Sequence, residues 1–160
     1  MSEPLHTHQD SIEISAPPEV VYGLVTAMER YGEWSSENAG GYWRKGADGN
    51  PGTGEVGDMF VGVNRRADRE WKAPVEIIER VPGQTFAFVT GGVDYNFALW
   101  KYDLSPAPTG TVLTESYELR NLPPLLVEGG QPAVDDRMEA MRTSIRATLE
   151  GIKATAEATS

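Results

Sequence analysis

The chain has 160 residues, a length that predicts one domain spanning 1–160 with its own hydrophobic core. It contains no cysteine and two histidines, which excludes disulfides, thiolate catalysis and cysteine zinc sites and leaves little imidazole chemistry. Fourteen Lys and Arg stand against 24 Asp and Glu, a net charge of −10, with no basic run to neutralise phosphates. Nucleic acid and anionic membrane are therefore not expected partners. No basic and apolar leader opens the sequence, and no apolar run approaches a membrane span, so a cytoplasmic protein without membrane insertion is expected.

Taken in chain order, the pattern predicts a strand over Gln9 to Ser15 and then a helix opening on Pro17 and Pro18, with Glu19 at the positive end of its dipole. Val21, Leu24, Val25 and Met28 make its apolar stripe, and a short helical piece continues through Glu29 to Gly32. Residues 35–54 carry Gly40, Gly41, Gly46, Gly49, Gly52, Gly54 and Pro51 without periodicity, which predicts a mobile loop. Within it Gly52-Thr-Gly-Glu-Val-Gly57 spells GxGxxG. It follows an Asn-Pro loop and leads into a strand, not a helix, so it reads as a turn and not as a dinucleotide site. His6 and His8 share a strand face, but any third metal ligand would have to be a carboxylate, and a frayed strand start is the simpler reading.

Five further strands are predicted near Val56 to Asn64, Glu70 to Arg80, Thr85 to Thr90, Asp94 to Leu104 and Thr111 to Leu119, joined by short turns and hence antiparallel. In the fourth, alternation reverses between Phe97 and Trp100, which predicts a bulge near Leu99. Leu122 to Pro132, apolar in a Gly/Pro frame, reads either as a lid over an opening or as a connector finishing the core. A long helix over about Pro132 to Glu157 presents Val134, Met138, Met141, Ile145, Leu149, Ile152 and Ala156 on one face about 33 Å long. A strand, two short helices, a meander and a long helix predict an α+β fold in which a curved antiparallel sheet of about six strands wraps around the last helix.

Period two places Leu113, Glu115, Tyr117 and Leu119 on the apolar side of the last strand. A carboxylate facing an apolar interior costs several kcal/mol unless paired, hydrated or protonated. Glu115 is therefore the leading candidate for function, with a buried pair to Arg137 or Arg142 as the structural alternative. Trp100, Tyr102 and Leu104 share one face, Phe60 and Asn64 another, and Trp71 the parity of the strand between. Around Glu115 and Tyr117 these residues would line a largely apolar pocket, or equally fill a solid core. Trp34, Glu37, Tyr42 and Trp43 border the glycine-rich loop and would form its gate, unless Trp34 merely caps the short helix.

The motifs Ile12-Glu-Ile-Ser-Ala-Pro-Pro-Glu-Val-Val-Tyr-Gly-Leu-Val25, Trp34-Ser-Ser-Glu37, Gly54-Glu-Val-Gly-Asp-Met-Phe-Val-Gly-Val-Asn64, Trp100-Lys-Tyr-Asp-Leu-Ser-Pro106 and Gly110-Thr-Val-Leu-Thr-Glu-Ser-Tyr117 come in the order of a known superfamily. Over residues 9–157 the chain resembles the SRPBCC superfamily of Bet v 1, START and polyketide cyclase/dehydratase proteins. That resemblance implies a helix-grip fold with a cavity between sheet and C-terminal helix, and it places the glutamate matching Glu115 in the ligand cavity of the similar plant hormone receptors. Together with the strand parities and the apolar face of the long helix, it gives an expected site of Phe60, Asn64, Trp71, Trp100, Tyr102, Leu113, Glu115, Tyr117, Met138, Met141, Arg142 and Ile145. The leading reading is binding or transport of a small hydrophobic molecule such as a lipid, polyketide or aromatic metabolite, without cofactor or metal. A second is a cyclase or dehydratase in which Glu115 acts as general acid or base, with Tyr117 or Arg142 stabilising an enolate. A third is a co-chaperone-like interaction module. A homodimer is left open.

Overall fold

The structure is a computed structural model that describes residues 3–159. Among them seven strands form one sheet: β1 (His6–Ile14), β2 (Asn38–Trp43), β3 (Met59–Arg66), β4 (Arg69–Val81), β5 (Thr85–Thr90), β6 (Ala98–Ala107) and β7 (Gly110–Leu119). Every neighbouring pair is antiparallel, and the order is β1-β7-β6-β5-β4-β3-β2, so the first strand docks on the last and the rest follow as a meander. Helix α1 (Pro18–Val25) and a 3₁₀ helix (Met28–Glu33) follow β1, a single turn α2 (Gly92–Tyr95) precedes β6, and α3 (Pro124–Thr159) closes the chain. This is the α+β helix-grip arrangement.

The helices form where the sequence stops alternating. Pro17 and Pro18 set the backbone entering α1, Glu19 sits in its first turn, and Val21, Leu24 and Val25 are buried. Along α3 the face of Met138, Met141, Ile145, Leu149, Ile152 and Ala156 is buried in one cluster with Ile14, Val21, Val25 and Leu113. Trp34 is part of that packing. Its ring donates an Nε1–H bond of 2.9 Å to Thr155 Oγ1 and seats against Gly151, where an added Cβ would lie 2.6 Å from the Trp34 Cβ. The glycine is thus the hole for a tryptophan knob. Ala in place of Gly gains up to about 1 kcal/mol in an open helix. Here overpacking of about 1–3 kcal/mol opposes it, and Gly151→Ala is expected to lower the urea midpoint, not raise it.

Three expectations are corrected. The glycine-rich stretch is not a loop throughout, since Asn38–Trp43 is the edge strand β2, making the sheet seven-stranded. Its pairing shifts register between Asn38 and Gly41, and Gly41, at φ 150°, lies so close to β3 that a Cβ would fall 2.0 Å from the Val61 carbonyl oxygen. Glycine composition that reads as mobility is here a requirement of strand crowding. Next, there is no bulge near Leu99, because β6 keeps unbroken register with both neighbours. The change of alternation arises because residues 92–95 are the turn α2 and the strand begins only at Ala98. Finally, the segment before the long helix carries a short helical piece from Pro124, which ends at a break at Gly130, whose φ of 70° is open to glycine and costly for other residues; the long helix itself starts after that break, at about the Pro132 expected.

The GxGxxG stretch is a turn leading into β3. Its backbone N–H groups at Thr53, Gly54 and Glu55 all donate to Asp58 Oδ2, at 2.9, 3.1 and 3.0 Å. The chain's own carboxylate occupies the concavity that would otherwise attract an anion. His6 and His8 lie on β1, and among the described residues no three His, Asp or Glu side chains are placed to hold a metal. No described helix is long and apolar enough to cross a membrane.

Candidate functional site

Strand β7 alternates without interruption, burying Thr111, Leu113, Glu115, Tyr117 and Leu119. Register then sets the neighbours of Glu115: Tyr102 lies directly across on β6, and the next inward pair is Trp100 with Tyr117. Those two rings meet edge to face with centroids 4.6 Å apart. On β3 and β4 the inward pairs are Phe60 with Val75, Gly62 with Ala73, and Asn64 with Trp71. The middle pair carries the least side-chain volume, and beside it opens a cavity of about 210 Å³. Both strands line it at all three levels.

The other wall comes from Met28 and Tyr31 of the 3₁₀ helix, from Ser35, Glu37 and Asn38, and from α3 through Arg137, Ser144 and Thr148. Ser35 Oγ bonds Ser144 Oγ at 2.9 Å and accepts the Glu37 and Asn38 amides at 3.1 and 2.9 Å, which holds the segment against α3. Glu37 thereby meets Arg137 in a two-pronged ion pair, Nη1 to Oε1 and Nη2 to Oε2, the latter at 2.6 Å. At a further rim, Phe97, Pro123 and Leu126 face the cavity, while Leu125 and Val127 on the same short helical piece are exposed. Leu122 to Pro132 therefore contributes a wall of the cavity.

Glu115 is 3 % exposed, and its Oε1 has no hydrogen-bond partner among the described residues. Burial raises its pKa from 4.5 to about 8, the Tyr102 hydroxyl opposing and the charge of Asp10 adding to the rise. Neither arginine proposed for it is its partner: Arg137 is engaged by Glu37, and Arg142 is exposed on the outer side of α3. Burial pushes Tyr117 up to about 12, with Arg137 pulling against it and Glu37 adding to it. Tyr31 and Tyr102 are held well above the ordinary phenol range, first by burial and then by the charge of Glu115. The cavity thus contains one acid that is neutral at pH 7, a compensated ion pair and aromatic rings.

Of the residues expected at the site, Phe60, Asn64, Trp71, Trp100, Tyr102, Glu115 and Tyr117 line the cavity. Leu113, Met138, Met141 and Ile145 do not; they are buried in the core cluster, the three from α3 because its apolar stripe faces α1 and β1. Among the expected gate residues only Glu37 faces the cavity. Trp34 is fixed against α3, Trp43 packs edge to face on Phe60 at 5.0 Å, and Tyr42 is exposed on β2. On α3 the lining residues not foreseen as such are Arg137, named only as a partner for Glu115, and Ser144 and Thr148. Their spacing of seven and four makes a second, polar stripe beside the apolar one, a signal visible in the sequence.

The chain belongs to the family described as polyketide cyclase / dehydrase and lipid transport, whose model matches residues 6–157. It is similar to a polyketide cyclase-like protein from Corynebacterium glutamicum solved by NMR, with 31% identity over 99% of this chain and 95% of that one, TM-score 0.65. It also shares its fold with the di-domain ARO/CYC StfQ of the steffimycin biosynthetic pathway, at 14% identity and TM-score 0.72, covering 96% of this chain and 51% of that one. A Mesorhizobium loti protein gives 18% identity, 97% and 99% coverage and TM-score 0.66. No curated protein matches the sequence.

Proposed function

We propose that the protein binds and carries a small, largely apolar molecule in the cavity between the sheet and α3. The observation that carries this reading is the pairing of an aromatic-lined hollow with one buried carboxyl whose Oε1 is unpartnered, the composition of a small-molecule site. The family description, which joins cyclases with lipid transport, supports the same class of ligand. Native mass spectrometry of protein purified without denaturation is expected to retain a small molecule. Ala73→Leu, which fills the hollow beside Gly62, is expected to lose it; bare mass for the wild-type protein would sink the reading.

One observation favours an enzymatic variant of this function: Glu115 holds its proton at neutral pH and stands beside Tyr102 and Tyr117. Those are the parts of a general acid with hydrogen-bonding support for developing oxyanion charge. Under that reading Glu115→Gln loses about 100-fold or more in turnover, whereas in a pure carrier it changes affinity by less than about tenfold.

A further inference from the structure

The carboxyl and guanidinium groups that line the cavity are those of Glu37, Arg137 and Glu115. Arg137 is consumed by Glu37 through both terminal nitrogens, so the cavity has a carboxyl with no cation to match it. Around that carboxyl the sheet register places aromatic residues: Tyr102 across the strand pair, Tyr117 two residues along β7, and Trp100 on the diagonal. Tyr31 approaches from the 3₁₀ helix, its ring 6.3 Å from that of Tyr102. Aromatic rings and a desolvated carboxyl each attract a cation, the first through the ring quadrupole and the second through its charge once ionised. The protein's net charge of −10 adds a third, raising the local concentration of cations at its surface.

Resting on the cavity reading above, we infer that the ligand is an amine: the cavity takes the ammonium group of a small aromatic or alkyl amine, with Glu115 as its counter-ion and Tyr102, Trp100 and Tyr117 as the surrounding rings. A neutral oxygen compound would gain one hydrogen bond from Glu115 and apolar contact with the rings, but no charge attraction from either. An ammonium group brings a donor to the unpartnered Oε1 and a counter-charge to the carboxylate that forms when Glu115 loses its proton. The only bond that changes is the O–H of Glu115. The ammonium enters with its own proton, Glu115 gives up its proton to solvent, and the complex is an ion pair.

The groups facing Glu115 define the pH behaviour. They are Tyr102 from β6, Tyr31 from the 3₁₀ helix, and Asp10 from β1, which is itself paired at 3.3 Å with Arg146 of α3. From α3 the cavity otherwise receives the uncharged Ser144 and Thr148 and the already paired Arg137. A unit or more below pH 8 binding an ammonium ion therefore releases close to one proton, and affinity rises up to about tenfold per pH unit until Glu115 is ionised in the free protein.

The test is isothermal titration of the full chain with 2-phenylethylamine and with its neutral isostere 2-phenylethanol, in two buffers of different ionisation enthalpy between pH 6 and 8. The expected result is an amine preference of about tenfold or more at pH 8, release of about one proton per amine bound at pH 6.5, and collapse of the amine-to-alcohol ratio to within about threefold of unity in Glu115→Gln. Proton release gives a readout in the wild-type protein that does not depend on the variant folding. Binding of the alcohol with equal or higher affinity, or amine binding without proton release, overturns the amine assignment and leaves the cavity reading standing. Failure of both compounds to bind at millimolar concentration overturns the amine assignment, and bare wild-type protein in native mass spectrometry would then remove the cavity reading as well.

Discussion

Stability is expected to fall as pH rises from about 5 to about 8, and Glu115→Gln to abolish most of that slope. The folded pKa of Glu115 is about 8 against 4.5 for an unperturbed glutamate, with burial as the main cause. Between those values the folded protein keeps a proton that the unfolded chain has released. Each pH unit in the window then removes up to about 1.4 kcal/mol, and the whole window about 4 kcal/mol. The opposite sign holds for carboxylates whose pKa is depressed by a partner, such as Glu33 beside Arg30 and Asp136 beside Arg66; their contribution is lost only as pH falls below the ordinary carboxylate range. Glutamine keeps the shape and cannot ionise, so the variant is expected to stand above the wild-type protein at pH 8 and to meet or fall below it near pH 5. Urea midpoints for both proteins from pH 5 to 9 measure this directly. Parallel curves would mean that Glu115 finds a counter-charge or water and does not hold its proton.

Arg137→Met is expected to lose about 2–3 kcal/mol, and the double variant with Glu37→Gln to regain at least half of that loss. The pair is asymmetric: the Glu37 side chain is 10% exposed and that of Arg137 23%. Removing the arginine leaves a nearly buried carboxylate beside the Tyr117 hydroxyl with no cation. Breaking one side of a buried pair costs about 3–5 kcal/mol, and partial access of water at the arginine end reduces that figure here. Replacing both partners removes the uncompensated charge, and the loss that remains measures the link between the Ser35–Asn38 segment and α3. Equal losses in the single and double variants would show that Arg137 acts by packing alone.

Much of the fold was legible because its elements obey simple periods. Strand β7 alternates along its full length, so Glu115 and Tyr117 could be placed inside from parity alone, and Thr85–Thr90 has the bounds its turns suggest. The failures have physical causes. Strand β2 was hidden because Gly40 and Gly41 satisfy a register shift and a close backbone contact, needs that composition does not separate from flexibility. The cavity was assigned to the wrong stripe of α3. Hydrophobic spacing finds the side facing the core, where Met138 and Ile145 are buried, but the cavity wall is the adjacent stripe of Arg137, Ser144 and Thr148. Whether Glu115 would meet an arginine depended on a competitor, Glu37, whose reach to Arg137 is fixed by the hydrogen bonds of Ser35 and not by any local pattern.

The docking of β1 on β7 also determines when the site comes into being. Ser11 and Thr114, hydrogen-bonded across that junction, are 103 residues apart in the chain, whereas the meander from β3 to β7 joins strands through short turns. Pairings between distant segments pay the largest loop-closure entropy and slow the approach to the native state. Asp10 pairs with Glu115 in that same junction, so the carboxyl is enclosed only when this distant pairing closes. Until then Glu115 stands at a sheet edge in water, where an ionised carboxylate carries no penalty. The chain therefore meets the cost of burying its acid at the most non-local of its strand pairings, and high pH is expected to weigh on that pairing more than on the hairpins of the meander.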